Sequence, residues 1–191
     1  MKLYKYNLLT IIILTLVIAG CGDKPADKAA EETGKQSSVT GFRNSQWGTT
    51  LDEVKKNEKI AFTRGDTASL VFTGDVYGKK ADVFYFFDES GSLFSGAIRF
   101  DIEGKSLEEV VKIYGEIKSQ MIKELGAASV DAVILTDSSI TEDTKSATAG
   151  ILSGNKIFTA DWNDNPGTQT GIILSKLPES PLNLGVVYQR K

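Results

Sequence analysis

The sequence predicts an α+β fold of two layers, built as two tandem helix-plus-antiparallel-meander repeats. Two observations carry this expectation. Thr50-Leu51-Asp52-Glu53-Val54-Lys55 and Ser106-Leu107-Glu108-Glu109-Val110-Val111 each open with a hydroxyl at the N-cap and a glutamate three residues on. That is a capping box, with acids in the first turn where the helix dipole favours them. After each of these starts the hydrophobic period changes from three-and-four to two, the mark of antiparallel strands with one wet face.

The first helix, Thr50 to about Glu58, is short and charged. The second is longer, with Leu107, Val110, Val111, Tyr114, Ile117, Met121, Ile122 and Leu125 recurring on one face. Gly115 costs about 1 kcal/mol against alanine and marks a kink or a break, and Gly126 supplies the stop. Strands follow where apolar residues alternate: Ala68, Leu70 and Phe72; Phe94, Ile98, Phe100 and Ile102; Phe158, Ala160 and Trp162; Ile172 and Leu174; Leu184, Val186 and Tyr188. Gly78-Lys79, Glu89-Ser90-Gly91, Gly154-Asn155 and Asn165-Pro166-Gly167 are the expected turns. Beyond the two helix starts, Gly78-Lys79-Lys80 is set against Gly154-Asn155-Lys156, and Phe86 against Trp162, at an offset that grows from 56 to 76 residues. The expected core holds Trp47, Phe86, Phe100, Leu107, Val110, Tyr114, Ile117, Trp162 and Leu174. Val83-Phe84-Tyr85-Phe86-Phe87 is apolar on both sides, so Val83, Tyr85 and Phe87 face something other than open water. Either Phe42, Trp47 or the second repeat covers them, or they form an aromatic platform for a partner.

Ahead of the globular part, Lys2 and Lys5 precede an apolar run from Leu8 to Ala19, too short for the roughly 20 residues of a spanning helix. Ile18-Ala19-Gly20-Cys21 ends this run and resembles the lipobox of bacterial lipoproteins. The resemblance implies cleavage before Cys21, lipidation of its sulfur, and a place on the outer face of the cytoplasmic membrane or in the outer membrane. A lone cysteine in an exported chain has no disulfide partner, and lipidation accounts for both its solitude and its position. Two or more acyl chains hold a protein firmly at a bilayer, where one does so only marginally. Gly22 to Thr40, rich in Ala, Lys, Glu, Gly and Ser, reads as a disordered tether. The expected organisation is therefore 1–20 signal peptide, 21–40 lipidated cysteine and tether, 41–105 first repeat and 106–191 second repeat.

Composition narrows the function. Loss of residues 1–20 removes two lysines and no acid, taking the net charge from −3 to −5, a poor balance for binding nucleic acid. With no histidine and a single cysteine, Ser-His and Cys-His catalysis and zinc or copper sites lack their residues. An enzyme would have to run on carboxylates, lysine or tyrosine. Ser153-Gly154-Asn155-Lys156 has the Ser-x-x-Lys spacing of penicillin-recognising enzymes, but on a hairpin turn and not opening a helix. The stretch from Gly74 to Lys80 is one residue short of a P-loop. Asp161 to Asn165 offers alternate oxygens like a calcium loop, yet Pro166 stands where that loop needs glycine. Asp137 to Asp143 reads as an acidic surface connection. No cofactor and no metal are expected.

Gln46-Trp47-Gly48-Thr49-Thr50-Leu51-Asp52-Glu53-Val54 resembles the tryptophan-glycine opening of many bacterial lipoproteins. The helix-plus-meander units are similar to the outer-membrane assembly lipoproteins of the SmpA/OmlA type and to the β-lactamase inhibitory proteins, which carry two tandem copies. The resemblance implies a non-catalytic protein-binding or envelope-assembly module, anchored to a membrane by lipid and meeting an envelope protein, with Val83, Tyr85 and Phe87 as the candidate contact residues. The alternative is a cell-wall carbohydrate binder or hydrolase using carboxylates such as Asp82, Asp88, Asp101 and Asp161 beside Tyr85 and Trp162.

Overall fold

A computed structural model describes residues 39–135, 150–151, 154, 156–176 and 180–191. Cys21, the tether as far as residue 38 and the Asp137–Asp143 stretch lie outside them, whereas Val39 and Thr40, expected in the tether, are described and accept hydrogen bonds from Thr168 and Trp47. The described residues form two helices, α1 (Leu51–Asn57) and α2 (Leu107–Leu125), and ten strands. A small hairpin pairs β1 (Gly41–Phe42) with β2 (Ser45–Gln46). The other eight strands make one antiparallel sheet: β3 (Ala61–Gly65), β4 (Ser69–Val76), β5 (Lys79–Phe87), β6 (Leu93–Phe100), β7 (Val130–Leu135), β8 (Lys156–Trp162), β9 (Thr168–Lys176) and β10 (Leu182–Arg190). Their order across the sheet is β3-β4-β5-β6-β10-β9-β8-β7. The class is α+β, with α1 followed by one meander and α2 by another, and the last strands of the two, β6 and β10, paired at the middle with Ile98 opposite Val186.

Both helices start where the capping boxes place them. Thr50 and Ser106 are the N-caps, and Glu53 and Glu109 reach back to the N-cap backbone. Helix α2 passes through Gly115 without a break and is closed by Gly126 at positive φ. Val110, Tyr114, Ile117, Met121 and Leu125 are buried on its sheet-facing side, whereas Ile122 is exposed and lies off the face expected of it. The β4–β5 turn is centred one residue earlier than expected, on Tyr77 and Gly78, both at positive φ as a type I′ turn requires. Strands β3 and β7 carry no clean alternation and were not expected.

One face of the sheet and the helices enclose the core. Phe100, Val110, Tyr114, Ile117, Trp162 and Leu174 are buried in it, and Trp47 and Leu107 pack at its margin. Phe86 does not belong to it. In β5 the side chains of Val83, Tyr85 and Phe87 take the core side, so Phe84 and Phe86 point the other way. That orientation also removes the equivalence of Phe86 with Trp162. Counted within each meander, β5 is a third strand and β8 a second, and Trp162 faces the core, donating its indole N–H to the Gly126 carbonyl at 2.9 Å.

The N-terminal hairpin plugs into the same side. Phe42, with no exposed surface, lies 4.9 Å from the Tyr85 ring and 5.2 Å from the Tyr188 ring, centroid to centroid. Its seat is Gly96 of β6, where any Cβ would overlap the Phe42 ring. The hairpin also reaches the far half of the sheet, since Trp47 Nε1 donates to Thr168 Oγ1 at 2.7 Å and that hydroxyl donates to the Val39 carbonyl at 2.6 Å.

Candidate functional site

The residues singled out for partner contact are internal. Val83 and Tyr85 have no exposed surface and Phe87 is 5 % exposed, because Phe42 and the core side chains of β4 and β6 cover them. A partner on the folded protein meets none of the three. Of the two explanations the sequence offered for this strand, cover by Phe42 is the one the packing realises.

What Tyr85 does instead is hold a buried carboxylate. Its hydroxyl donates to Glu58 Oε2, and Arg43 from the β1–β2 turn adds a fork, Nε to Oε2 at 2.8 Å and Nη2 to Oε1 at 3.2 Å. The backbone amides of Lys59 and Ile60 donate to the same carboxylate. Burial alone would raise the Glu58 carboxyl, but these hydrogen bonds from Arg43, Tyr85 and Lys59 outweigh it and bring the group down to about 2. Burial and the Glu58 contact push the Tyr85 hydroxyl up in turn. Nothing in the spacing of Arg43, Glu58 and Tyr85 announces this network, since the three come from a turn, a helix end and a strand.

The opposite face of the sheet carries no described helix, and its register can be read row by row. One row runs Val71, Phe84, Ala97, Val187, Gly171, Asp161 and Val130, and the next runs Thr73, Asp82, Arg99, Gly185, Ile173, Thr159 and Ala132. Phe84 and Phe86 stack on each other, 6.3 Å between centroids and 6° from parallel. Arg99 lies 5.4 Å over the Phe84 ring and donates to Asp82 Oδ2 at 2.6 Å. Beside these rings Ala97, Val187 and Ile173 are half-buried, and Gly171 and Gly185 add no side chain. Asp161 lies down over β9 at Gly171, where a Cβ would come within 2.5 Å of Asp161 Oδ1. Burial pushes the Asp161 carboxyl up more than the Thr159 hydroxyl holds it down. The face is therefore mixed: two stacked rings with a guanidinium at one end, a partly desolvated carboxylate at the other, and small or aliphatic residues between.

The carboxylates considered for catalysis do not assemble around an aromatic subsite. Tyr85 and Trp162 are buried in the core. Asp82 is held by Arg99 and Thr73, which outweigh burial and keep its carboxyl below the usual range. Asp88 accepts from Ser90 and Ser92 to close the β5–β6 turn, and Asp101 accepts from the Glu103 amide. Lys156 of the Ser-x-x-Lys spacing is a buried residue of β8, while Ser153 and Asn155 lie outside the described residues. Gly74 to Lys80 is the β4–β5 hairpin, and Asp161 to Asn165 runs from the end of β8 into a turn. Among the described residues no group of three or more Cys, Asp or Glu side chains could hold a metal ion. No described helix is long and apolar enough to cross a membrane. No protein-family model matches the chain, and neither a curated protein nor a solved structure matches it.

Proposed function

We propose that this chain is a non-catalytic protein-binding module of a bacterial envelope, held to a membrane by lipid on Cys21, and that it presents the face of its sheet opposite α1 and α2 to a protein partner. The observation that carries the reading is the composition of that face. Phe84 and Phe86 stack there with Arg99 over one ring, next to half-buried Ala97, Val187 and Ile173. Aromatic and arginine side chains around small apolar residues are what protein interfaces concentrate at their centres. The face is also continuous across both meanders.

The same reading takes the two helix-plus-meander units as copies of one module. Support comes from the order of the sheet, which runs outward from the β6–β10 pair through equivalent strands on either side, and from the capping box that opens each helix. The strand-by-strand equivalence sets β5 against β9 and the Tyr77-Gly78 turn against Asn165-Pro166-Gly167.

The test is site-specific photocrosslinking in the native envelope with the full-length chain. A benzoylphenylalanine at position 84 or 187 should give a discrete protein adduct, and one at the exposed position Lys112 on α2 should not. Mass spectrometry of the same purified chain should find the N-terminus at lipidated Cys21. Absence of an adduct from both sheet positions ends the binding-face reading, and an unmodified Cys21 ends the anchor.

A further inference from the structure

On the face of the sheet opposite α1 and α2, the two meanders handle charge differently. In the first, each strand acid on that face has a base beside it: Arg99 donates to Asp82 Oδ2 at 2.6 Å, and Asp75 stands opposite Lys80 across β4 and β5. In the second, strand register leaves one charged side chain on the face, Asp161 of β8. Its surroundings are aliphatic. Val130 and Ile134 are 44 and 48 % exposed, and Ile157, Ile173 and Val187 are half-buried. The half-buried carboxylate lies over Gly171 and accepts from the Thr159 hydroxyl, 3.2 Å from Oδ2. Among the described residues no lysine or arginine forms an ion pair with it.

A partner that covers this half of the face takes Asp161 fully out of water. An ionised carboxylate buried without a counter-charge is strongly unfavourable, whereas one met by a cation in hydrogen-bonding geometry is tolerated. Burial already pushes the Asp161 carboxyl up, before any partner arrives. The chain carries a net charge of −3, which favours encounter with a basic partner.

We propose that the protein partner of this face brings a lysine or arginine side chain to Asp161, with the methylenes of that side chain resting on Val130 and Ile173. The inference rests on the protein-binding reading and names the partner's chemistry at one end of the contact. Strands lie about 4.8 Å apart, so Asp161 stands roughly 19 Å from Phe84, four strands away on the same row. The basic residue therefore meets the face at the end far from the stacked rings.

The experiment uses the full-length chain in its native envelope with benzoylphenylalanine at position 84, a reporter distant from the substituted residue. Asp161→Asn keeps the shape and an acceptor for Thr159 and removes the charge. It should lower the adduct yield about tenfold or more, as loss of one member of a buried charge pair does. The thermal midpoint of the purified variant should equal or exceed the parent's, since burial already disfavours the charge on this carboxylate. Asp161→Lys should abolish the adduct. A water-soluble carbodiimide applied to the parent should join the Asp161 carboxyl to the partner as an amide when the cation is a lysine. Loss of the adduct in the variants with no such amide in the parent identifies an arginine; both results support the proposal. Adduct yields unchanged or raised in the folded variants overturn it and leave the protein-binding reading standing. Absence of any adduct from positions 84 and 187 of the parent ends that reading, and this proposal with it. If one variant melts well below the parent, the other decides.

Discussion

Glu58 ends helix α1 with a carboxylate whose side chain has no exposed surface. Burying a charge is unfavourable unless its partners satisfy it, and here Arg43, Tyr85 and two backbone amides do so. Its carboxyl sits at about 2 in the folded chain, below the roughly 4.3 of an unfolded glutamate. A lowered folded value means stability that is present above about pH 4.3 and lost as pH falls through the folded value near 2. The difference corresponds to roughly 3 kcal/mol. Glu58→Gln should therefore flatten the fall in unfolding free energy between about pH 4 and pH 2, read from urea midpoints at a series of pH values. A variant whose acid profile runs parallel to the parent would show that Glu58 is not the group responsible. Glu58→Ala should be worse at neutral pH, by about 3 to 5 kcal/mol, because it leaves the Arg43 charge and the Tyr85 hydroxyl with no partner.

At the scale of elements, Trp162 shows why β8 matters to the second meander. The strand sets the indole at 1 % exposure and its N–H on the carbonyl that follows α2, so one side chain joins strand, helix end and core. Trp162→Ala should cost about 3 to 5 kcal/mol, and Phe100→Ala a similar amount, both read as denaturation midpoints. Losses below about 1 kcal/mol for both would mean that these rings do not fill the core. The same strands mark where sequence reading works and where it stops. Helix starts were legible because a capping box is a local signal, complete within four residues. Strand phase was legible in β10, where Leu184, Val186 and Tyr188 all face the core. It failed in β6 at Phe94, because the register shifts there: Phe86 pairs with Ser95 and Phe87 with Leu93, so Leu93 takes the buried place. A bulge of one residue inverts the apparent alternation and leaves no trace in composition. In β5 both faces are apolar, so period could not choose between Tyr85 and Phe84. Only the seating of Phe42 against Gly96, a contact across more than fifty residues, decides it. The Glu58 network depends on such non-local meetings throughout.

The whole molecule is organised by its continuous sheet, so that the hairpin before α1 finds its hydrogen bonds at Thr168 of β9 and one buried cluster draws on both meanders. Such an open sheet has two outer strands, and β3 and β7 take those places. Among the described residues no strand pairs with their outer edges, and such an edge is a template for another copy of the chain, which natural sheets block with irregular geometry or charge. Strand β3 has a register shift between Phe62 and Arg64, and Lys55 lies 5.3 Å over the exposed Phe62 ring. Strand β7 keeps a regular register and has charge alone to rely on. Val130, Val133 and Ile134 are each 44 to 50 % exposed, and the strand Val-Asp-Ala-Val-Ile-Leu holds a single charge, Asp131, kept in place by Lys118 at 2.9 Å. Without that carboxylate it is a six-residue apolar segment of high β-propensity, the composition from which fibrils grow. Asp131→Val should leave the thermal midpoint nearly unchanged, since an exposed ion pair contributes under about 1 kcal/mol, while sharply shortening the lag before thioflavin-positive aggregates form. Equal lag times for the variant and the parent would refute this. Asp131 is thus a gatekeeper: its effect on the folded monomer is small, and its role is to keep a crowded population of these chains from joining edge to edge.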